Sequence, residues 1–202
     1  MAKLYVFGCG GHARSVADIY LNCNPGNEVI FIDSNAYAGE SIFSFPVIKE
    51  LEEEVHLNES IFIALGNNKQ RKDFYSQFYS YNIQSIISSK AYIGNAAIIG
   101  RGCFVGNFCH IGPEAIIGEN TIINTGAIIE HEVNIGKHSH IAPNATISGR
   151  TVIGDEVFIG ASATVIDKIT IGNNVIVGAG STVIKNITEP GTYVGSPALR
   201  IK

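Results

Sequence analysis

The stretch IGENTIINTGAIIEHEVNIGKHSHIAP, residues 117–143, places isoleucine at every sixth position: Ile117, Ile123, Ile129, Ile135 and Ile141. Worked outward, the same register takes in Ile93, Ile99, Val105 and Ile111 before it, and Ile147, Ile153, Ile159, Val165, Ile171, Val177 and Val183 after it. Sixteen successive hexads hold Ile or Val at one phase without a break. With that phase numbered 1, phase 2 is Gly in ten hexads, as in Gly94, Gly100, Gly112 and Gly118. Phase 5 is nearly always small, as in Ala97, Cys103, Cys109, Ala115, Thr121, Ala127, Ser139, Ala145 and Ala163. Phases 5 and 1 lie two residues apart, so on a short strand both point inward and phase 6 points out. Phases 2 and 3 then form a corner, where glycine is expected to supply unusual backbone angles. The pattern predicts a β-helix of short parallel strands around a column of isoleucine.

The hexads IGENTI, IGKHSH and IGDEVF resemble those of the hexapeptide-repeat acyltransferases. The resemblance covers residues 87–202. It implies a left-handed parallel β-helix with three hexads per 18-residue coil, about five coils in all. It also implies a homotrimer with active sites between neighbouring prisms. Cys103 and Cys109 fall at phase 5 and read as small core residues rather than catalytic thiols.

The remaining composition narrows the function. Hydrophobic residues make up 46% of the 202 residues and charged residues only 16%, so a packed core is expected. A net charge of −4 gives no basic footprint, which argues against nucleic acid as a partner. No apolar run of about 18 residues is present, so no membrane partner is expected. The opening MAKLYVFGCGGHA does not read as a signal peptide, and a cytoplasmic location is expected. The four cysteines form no CxxC pair and show no zinc spacing, and no metal is expected.

Three of the six histidines fall within residues 131–140. His131 is at phase 3, a corner, and its hexad replaces the usual glycine by Glu130 and adds Glu132. One 18-residue coil beyond His131 is Gly149, whose backbone N–H is placed to donate to an oxyanion beside the imidazole. The stretch AIIEHEVNIGKHSHIAPNATISG resembles the catalytic segment of bacterial acetyltransferases acting on nucleotide-linked 4-amino-4,6-dideoxy sugars, a group that includes sialic acid O-acetyltransferases. The resemblance implies that His131 is the general base, that Glu132 raises its basicity, and that His140 contacts acetyl-CoA. His138 and His110 read as surface residues. Acetyl transfer from a thioester to an amine needs a proton acceptor, and an imidazole serves near neutral pH.

Near the end of the chain, Val194–Ala198 resembles the family's terminal signature beside the CoA nucleotide, and Ala161 and Ala179 match its CoA-contacting backbone positions. Small residues at corners also serve the coil itself. Lys185, Arg200 and Lys202 are candidates for CoA phosphates, against the plainer reading as solvated charges.

Residues 1–86 leave the hexad period and form a separate α/β domain. KLYVFGCGGHARSVADIYLN reads as strand, glycine turn and helix, NEVIFIDS as a strand ending at Asp33, FPVIKELEEE as a short helix, ESIFIALGNN as a strand and KQRKDFYSQFYSYN as a helix. The alternation predicts a small Rossmann-like parallel sheet with helices on both faces. Asp33 follows Ala13 by 20 residues, a spacing that places a carboxylate near a ribose. The layout of GxGGHA, IALGNNKQR and a following prism resembles that of the amino-sugar acetyltransferases. It implies nucleotide-sugar contacts at Gly10, Gly11, His12, Asp33, Ser34 and Gly66, with Arg14 nearby to balance phosphate charge.

These readings converge on an acetyl-CoA-dependent N-acetyltransferase acting on the 4-amino group of a nucleotide-linked 4-amino-4,6-dideoxy sugar in bacterial surface glycan synthesis. The alternatives are a sialic acid O-acetyltransferase of the same layout and a non-catalytic nucleotide-sugar-binding scaffold. An NAD-linked oxidoreductase is a weaker third, because the glycine turn matches GxGxxG only in part.

Overall fold

The computed structural model describes residues 2–51 and 59–202. They divide into two compact units, Met1–Ile86 and Ile87–Lys202.

The second unit is a parallel β-helix. Strands pair in register one coil apart, as in Ile111↔Ile129 and Ile129↔Ile147, so the repeat is 18 residues and three hexads complete each turn. One face stacks Phe104–Val105, Ile122–Ile123, His140–Ile141 and Phe158–Ile159. The next stacks His110–Ile111, Ile128–Ile129, Thr146–Ile147 and Thr164–Val165. The third stacks Ile116–Ile117, Asn134–Ile135, Val152–Ile153 and Thr170–Ile171. The phase 1 column is the core: Ile111, Ile129, Ile141, Ile147 and Ile159 are all 0% exposed. Full burial of each such side chain contributes about 1.5–3 kcal/mol.

Three polar residues at phase 5 are accommodated by one repeated bond. Each donates to the corner carbonyl fifteen residues on: Thr121 Oγ1 to Gly136 O (2.9 Å), Ser139 Oγ to Gly154 O (2.9 Å) and Thr151 Oγ1 to Ile166 O (3.0 Å). The thiols of Cys103 and Cys109 do the same, to Gly118 O (3.1 Å) and Asn124 O (3.0 Å). Burial pushes the Cys109 thiol up to about 11, which keeps it protonated and unreactive.

The corners correct one expectation. The phase 2 glycines do not supply the unusual backbone angles, for none of them has a positive φ. They are small because the next coil lies against them: a β-carbon at Gly112 would come within 2.6 Å of His131 N, and one at Gly160 within 2.5 Å of Ala179 N. The left-handed residue is at phase 4 instead, as in Glu114, Glu132, Arg150 and Lys168, with φ of 60°, 59°, 59° and 58°.

The first unit holds β1 (Lys3–Phe7), α1 (Gly11–Cys23), β2 (Glu28–Ile32), β3 (Ser41–Ile42), β4 (Phe45–Ile48), β5 (Ser60–Ile63), α2 (Asn68–Gln77) and β6 (Asn82–Ile83). Their order in the sheet is β3-β4-β2-β1-β5-β6, parallel except for the β3–β4 hairpin. Leu4, Val6, Val29, Phe31 and Ile61 are 0% exposed at its centre. The helix expected over FPVIKELEEE is not formed where it begins. Phe45–Ile48 is a strand pairing parallel with β2, while residues 52–58 lie outside the described residues. Phe43 and Ser44 turn the hairpin with φ of 53° and 66°, a primed two-residue turn made without Asn or Gly. Among the described residues, no helix is long and apolar enough to cross a membrane.

Candidate active site

The corner at residues 130–132 follows the strand Ile128–Ile129, whose Ile129 is buried at 0% and fixes where the chain turns outward. Glu132 takes the left-handed conformation there, which turns its side chain back beside His131. His131 Nδ1 lies 2.9 Å from Glu132 Oε2. The hydrogen bonds from His131 and Arg150 hold the Glu132 carboxyl below the usual carboxylate range, so it is ionised at neutral pH. An ionised carboxylate only accepts, so the proton of that contact sits on Nδ1 and the Nε2 lone pair is left for chemistry.

The 18-residue coil sets Gly149 beneath His131, as expected, and the contact is closer than stacking requires. A β-carbon at 149 would come within 2.6 Å of Nε2 and 2.7 Å of Cε1. The imidazole occupies the space of the missing side chain. Among the described residues the Gly149 N–H has no acceptor. At another corner two equivalent amides do have one: Lys137 N donates to Asp155 Oδ1 (2.7 Å) and Asp155 N to Asn173 Oδ1 (2.8 Å). Below Gly149 the equivalent side chain is Asp167, which lies 3.8 Å from Lys168 Nζ instead. The corner therefore offers a ring nitrogen and a backbone donor side by side, which is what a proton acceptor and an oxyanion donor need.

His140 lies on the face Phe104–Phe158, half-buried. Asn124 Nδ2 donates to its Nε2 at 3.3 Å, and its ring meets Phe158 edge-on at 5.1 Å. Ala161 and Ala179 sit one coil apart at the corner that follows this face, joined by Gly180 N donating to Ala161 O at 2.8 Å. The His131 corner lies between the other two faces. Within one chain, His140, Ala161 and Ala179 are therefore not brought to His131 and Gly149. His138 stacks at a third corner with Asn120, 2.8 Å away, and His110 stacks on Tyr92 at 5.1 Å.

In the first unit a cavity of about 470 Å³ opens at the carboxyl ends of β1, β2 and β5. This is where an open parallel sheet offers a ligand site. Asp33 and Ser34 line it with Gly8, Leu65, Gln70 and Asp73, over a floor of Phe7, Phe74 and Phe78. Asp33 Oδ2 accepts from Cys9 N (3.3 Å) and Cys9 Sγ (3.2 Å), and Oδ1 from Asn35 N (3.0 Å). The Asn35 backbone N–H, then the Cys9 and Asn35 side chains, hold the Asp33 carboxyl below its ordinary value. Burial, with Asp33 beside it, pushes the Cys9 thiol up to about 11.

Gly10, Gly11, His12 and Gly66 do not line that cavity. Gly10 caps α1 with φ −75°, Gly11 is its first residue, and a β-carbon at Gly10, Gly11 or Gly66 would meet nothing within 4 Å. Neither φ nor packing requires glycine at these three positions, in contrast to Gly8, where φ is +105° and Ala64 O would lie 3.1 Å from a β-carbon. His12 meets Phe62 edge-on at 6.5 Å. The loop before α2 is held from within: buried Arg71 donates to Leu65 O (3.0 Å), Gly66 O (3.4 Å) and Asn68 Oδ1 (2.9 Å).

Set beside known proteins, the prism matches the bacterial transferase hexapeptide family over residues 150–185. The chain as a whole superposes on the acetyltransferase domain of PglB from Neisseria gonorrhoeae FA1090, with a TM-score of 0.93, 29% identity and 100% of both chains covered. The chain carries the repeat and the fold of the hexapeptide-repeat acyltransferases. The PglD N-terminal domain family matches residues 3–78 of the chain, and the GMPPB C-terminal domain family residues 79–165. It also superposes on GDP-perosamine N-acetyltransferase from Caulobacter crescentus, solved as a variant with CoA and GDP-perosamine. There the TM-score is 0.90 and identity 25%, over 100% of this chain and 98% of that one. WeeI from Acinetobacter baumannii AYE, 24% identical with a TM-score of 0.90 over 100% of both chains, shares the fold. Among curated proteins no relative matches the chain.

Three features of the chain escaped the sequence reading. Arg150 donates from Nε to Glu132 Oε2 at 3.0 Å, a contact the 18-residue coil makes legible, since 150 lies one coil beyond 132. Arg71 carries no periodic signal, because its role is to satisfy carbonyls of one loop. Leu65, Gln70 and Asp73 join Asp33 only through the sheet topology.

Proposed function

We propose that this protein is an acetyl-CoA-dependent N-acetyltransferase that acts on the 4-amino group of a nucleotide-linked 4-amino-4,6-dideoxy sugar, for bacterial surface glycans. The observation that carries the reading is the His131 corner: Nδ1 committed to Glu132, and Nε2 directly over the backbone of Gly149. The sugar nitrogen attacks the thioester carbonyl, the C–N bond forms and the oxyanion takes the Gly149 N–H. His131 Nε2 removes the proton of the attacking amine. The C–S bond then breaks, and the CoA sulfur leaves with the proton His131 returns. Glu132 stabilises the intervening imidazolium. A base of this kind is worth about 10²- to 10⁴-fold, and an oxyanion donor a comparable amount, about 10²- to 10³-fold.

Acetyl-CoA is the donor, and His140, Ala161 and Ala179 hold it. Those residues and His131 lie on different parts of one prism, so a site that uses both sets takes its halves from two copies. A cyclic homotrimer closes that arrangement. The first unit holds the nucleotide at Asp33, Ser34 and the cavity they line, with Gly10, Gly11, His12 and Gly66 admitting the diphosphate and sugar closely. The PglD N-terminal family match and the GDP-perosamine complex of the Caulobacter protein support this reading.

The test is a panel of UDP-, dTDP- and GDP-linked 4-amino sugars set against free and CMP-linked sialic acid, with thiol release from acetyl-CoA followed for each. Turnover with an amino sugar is expected. Turnover with sialic acid alone makes the enzyme an O-acetyltransferase, and release with none of them leaves a binding scaffold.

A further inference from the structure

We infer that Arg150 is a positioning residue for the base, fixing the Glu132 carboxylate against His131 so that the ring presents Nε2 over Gly149. The inference rests on the reading of His131 as the base. Glu132 Oε2 accepts from His131 Nδ1 at 2.9 Å and from Arg150 Nε at 3.0 Å, so one oxygen is held from two directions. The fold sets this up. Glu132 and Arg150 share the same corner one coil apart, both at φ 59°, so their side chains leave the prism parallel and one strand spacing apart.

An exposed ion pair of this kind adds little to stability, and both partners are well exposed, 55% for Arg150 and 43% for Glu132. What it removes is rotational freedom. A glutamate bonded only to the imidazole can swing away with it or from it; a second donor on the same oxygen leaves one orientation. The guanidinium charge by itself opposes an imidazolium, so any gain in rate from Arg150 is geometric. The other charges along this corner are Glu114, Glu130, Asp167, Lys168 and Lys185. The prism also supplies a control. Lys137 Nζ and Glu119 Oε2 form the same one-coil pair at 3.1 Å, at a corner away from His131.

The experiment measures kcat and KM for the full chain and for R150M, R150K, E132Q, the double variant R150M/E132Q, and K137M, with the amino sugar that turns over best. R150M is expected to lower kcat about tenfold with KM for acetyl-CoA unchanged within about twofold, and to add nothing in the E132Q background. R150K, which offers one donor to the same oxygen, is expected to recover more than half of kcat, and K137M to match the parent. If R150M costs as much in the E132Q background, or raises KM for acetyl-CoA with kcat intact, Arg150 acts on CoA directly and the inference is overturned. Normal turnover of R150M beside an impaired E132Q overturns it too. Normal turnover of E132Q and of a His131→Ala variant instead removes the reading on which it stands.

Discussion

The imidazole of His131 fills the space that a side chain at Gly149 would take, with Nε2 2.6 Å from the place of the absent β-carbon. The two residues are one coil apart, so the coil length alone decides that they meet. Gly149→Ala forces the ring off its position. Residue 149 has no positive φ, and the His131 side chain is 45% exposed, so the ring can swing outward without breaking the core. The expected result is a fall in kcat of at least about thirtyfold with a melting temperature within about 3 °C of the parent. A large drop in melting temperature would mean that the glycine serves the coil rather than the ring.

Removing the ring itself separates the base from the scaffold. His131→Ala leaves the buried column untouched and opens the space above Gly149. Its circular dichroism spectrum and melting temperature should match the parent, while turnover falls by at least about a hundredfold. Near-normal turnover would reject His131 as the base. In this background Gly149→Ala should cost nothing further, because the atom it clashed with is gone.

How much of this was legible in the sequence depends on whether a feature is periodic. The Ile column from Ile93 to Val183 repeats every six residues, and with it came the core, the corner of His131 and, given an 18-residue coil, the pairing with Gly149. The phase 2 glycines were legible as required but not for the right reason. A one-dimensional pattern does not show that Gly112 lies against the backbone of His131, nineteen residues on. Outside the repeat, local rules carried less. The β3–β4 hairpin turns on Phe43 and Ser44, residues with no preference for positive φ, so nothing marked Phe45–Ile48 as a strand. The cavity at Asp33 gathers residues from separate loops and from α2, and only the sheet order brings Gln70 and Asp73 to it.

Asp33 gives the first unit a measurable pH dependence. Its carboxyl is held below the unfolded value by the Asn35 backbone N–H and by Cys9 and the Asn35 side chain. A group with a lowered folded pKa stabilises fully above its unfolded value, about 3.9 for Asp, and loses that contribution as pH falls through the folded one. Asp33→Ala should therefore lower the urea midpoint most at neutral pH, and the gap to the parent should narrow as pH drops below about 4. A gap of constant size down to pH 3 would assign the loss to packing rather than to the charge.

Two glycines of opposite kind distinguish a coil requirement from a ligand requirement. At Gly112 a β-carbon would meet His131 N at 2.6 Å and the Glu130 carbonyl carbon at 2.7 Å. These are backbone atoms of the next coil and cannot rotate away, so Gly112→Ala must spread two coils at the His131 corner. It is expected to destabilise by about 1–3 kcal/mol, the cost of overpacking, and to lower turnover with it. At Gly11 a β-carbon meets nothing within 4 Å, and the residue opens α1, where alanine is the better helix former. Gly11→Ala should leave the melting temperature unchanged or slightly raised. If the space beside it belongs to the diphosphate or sugar, KM for the nucleotide sugar rises at least about fivefold while KM for acetyl-CoA stays put. Unchanged kinetics at Gly11 would remove the glycine turn from the substrate site and leave the cavity at Asp33 as the place to look for the nucleotide.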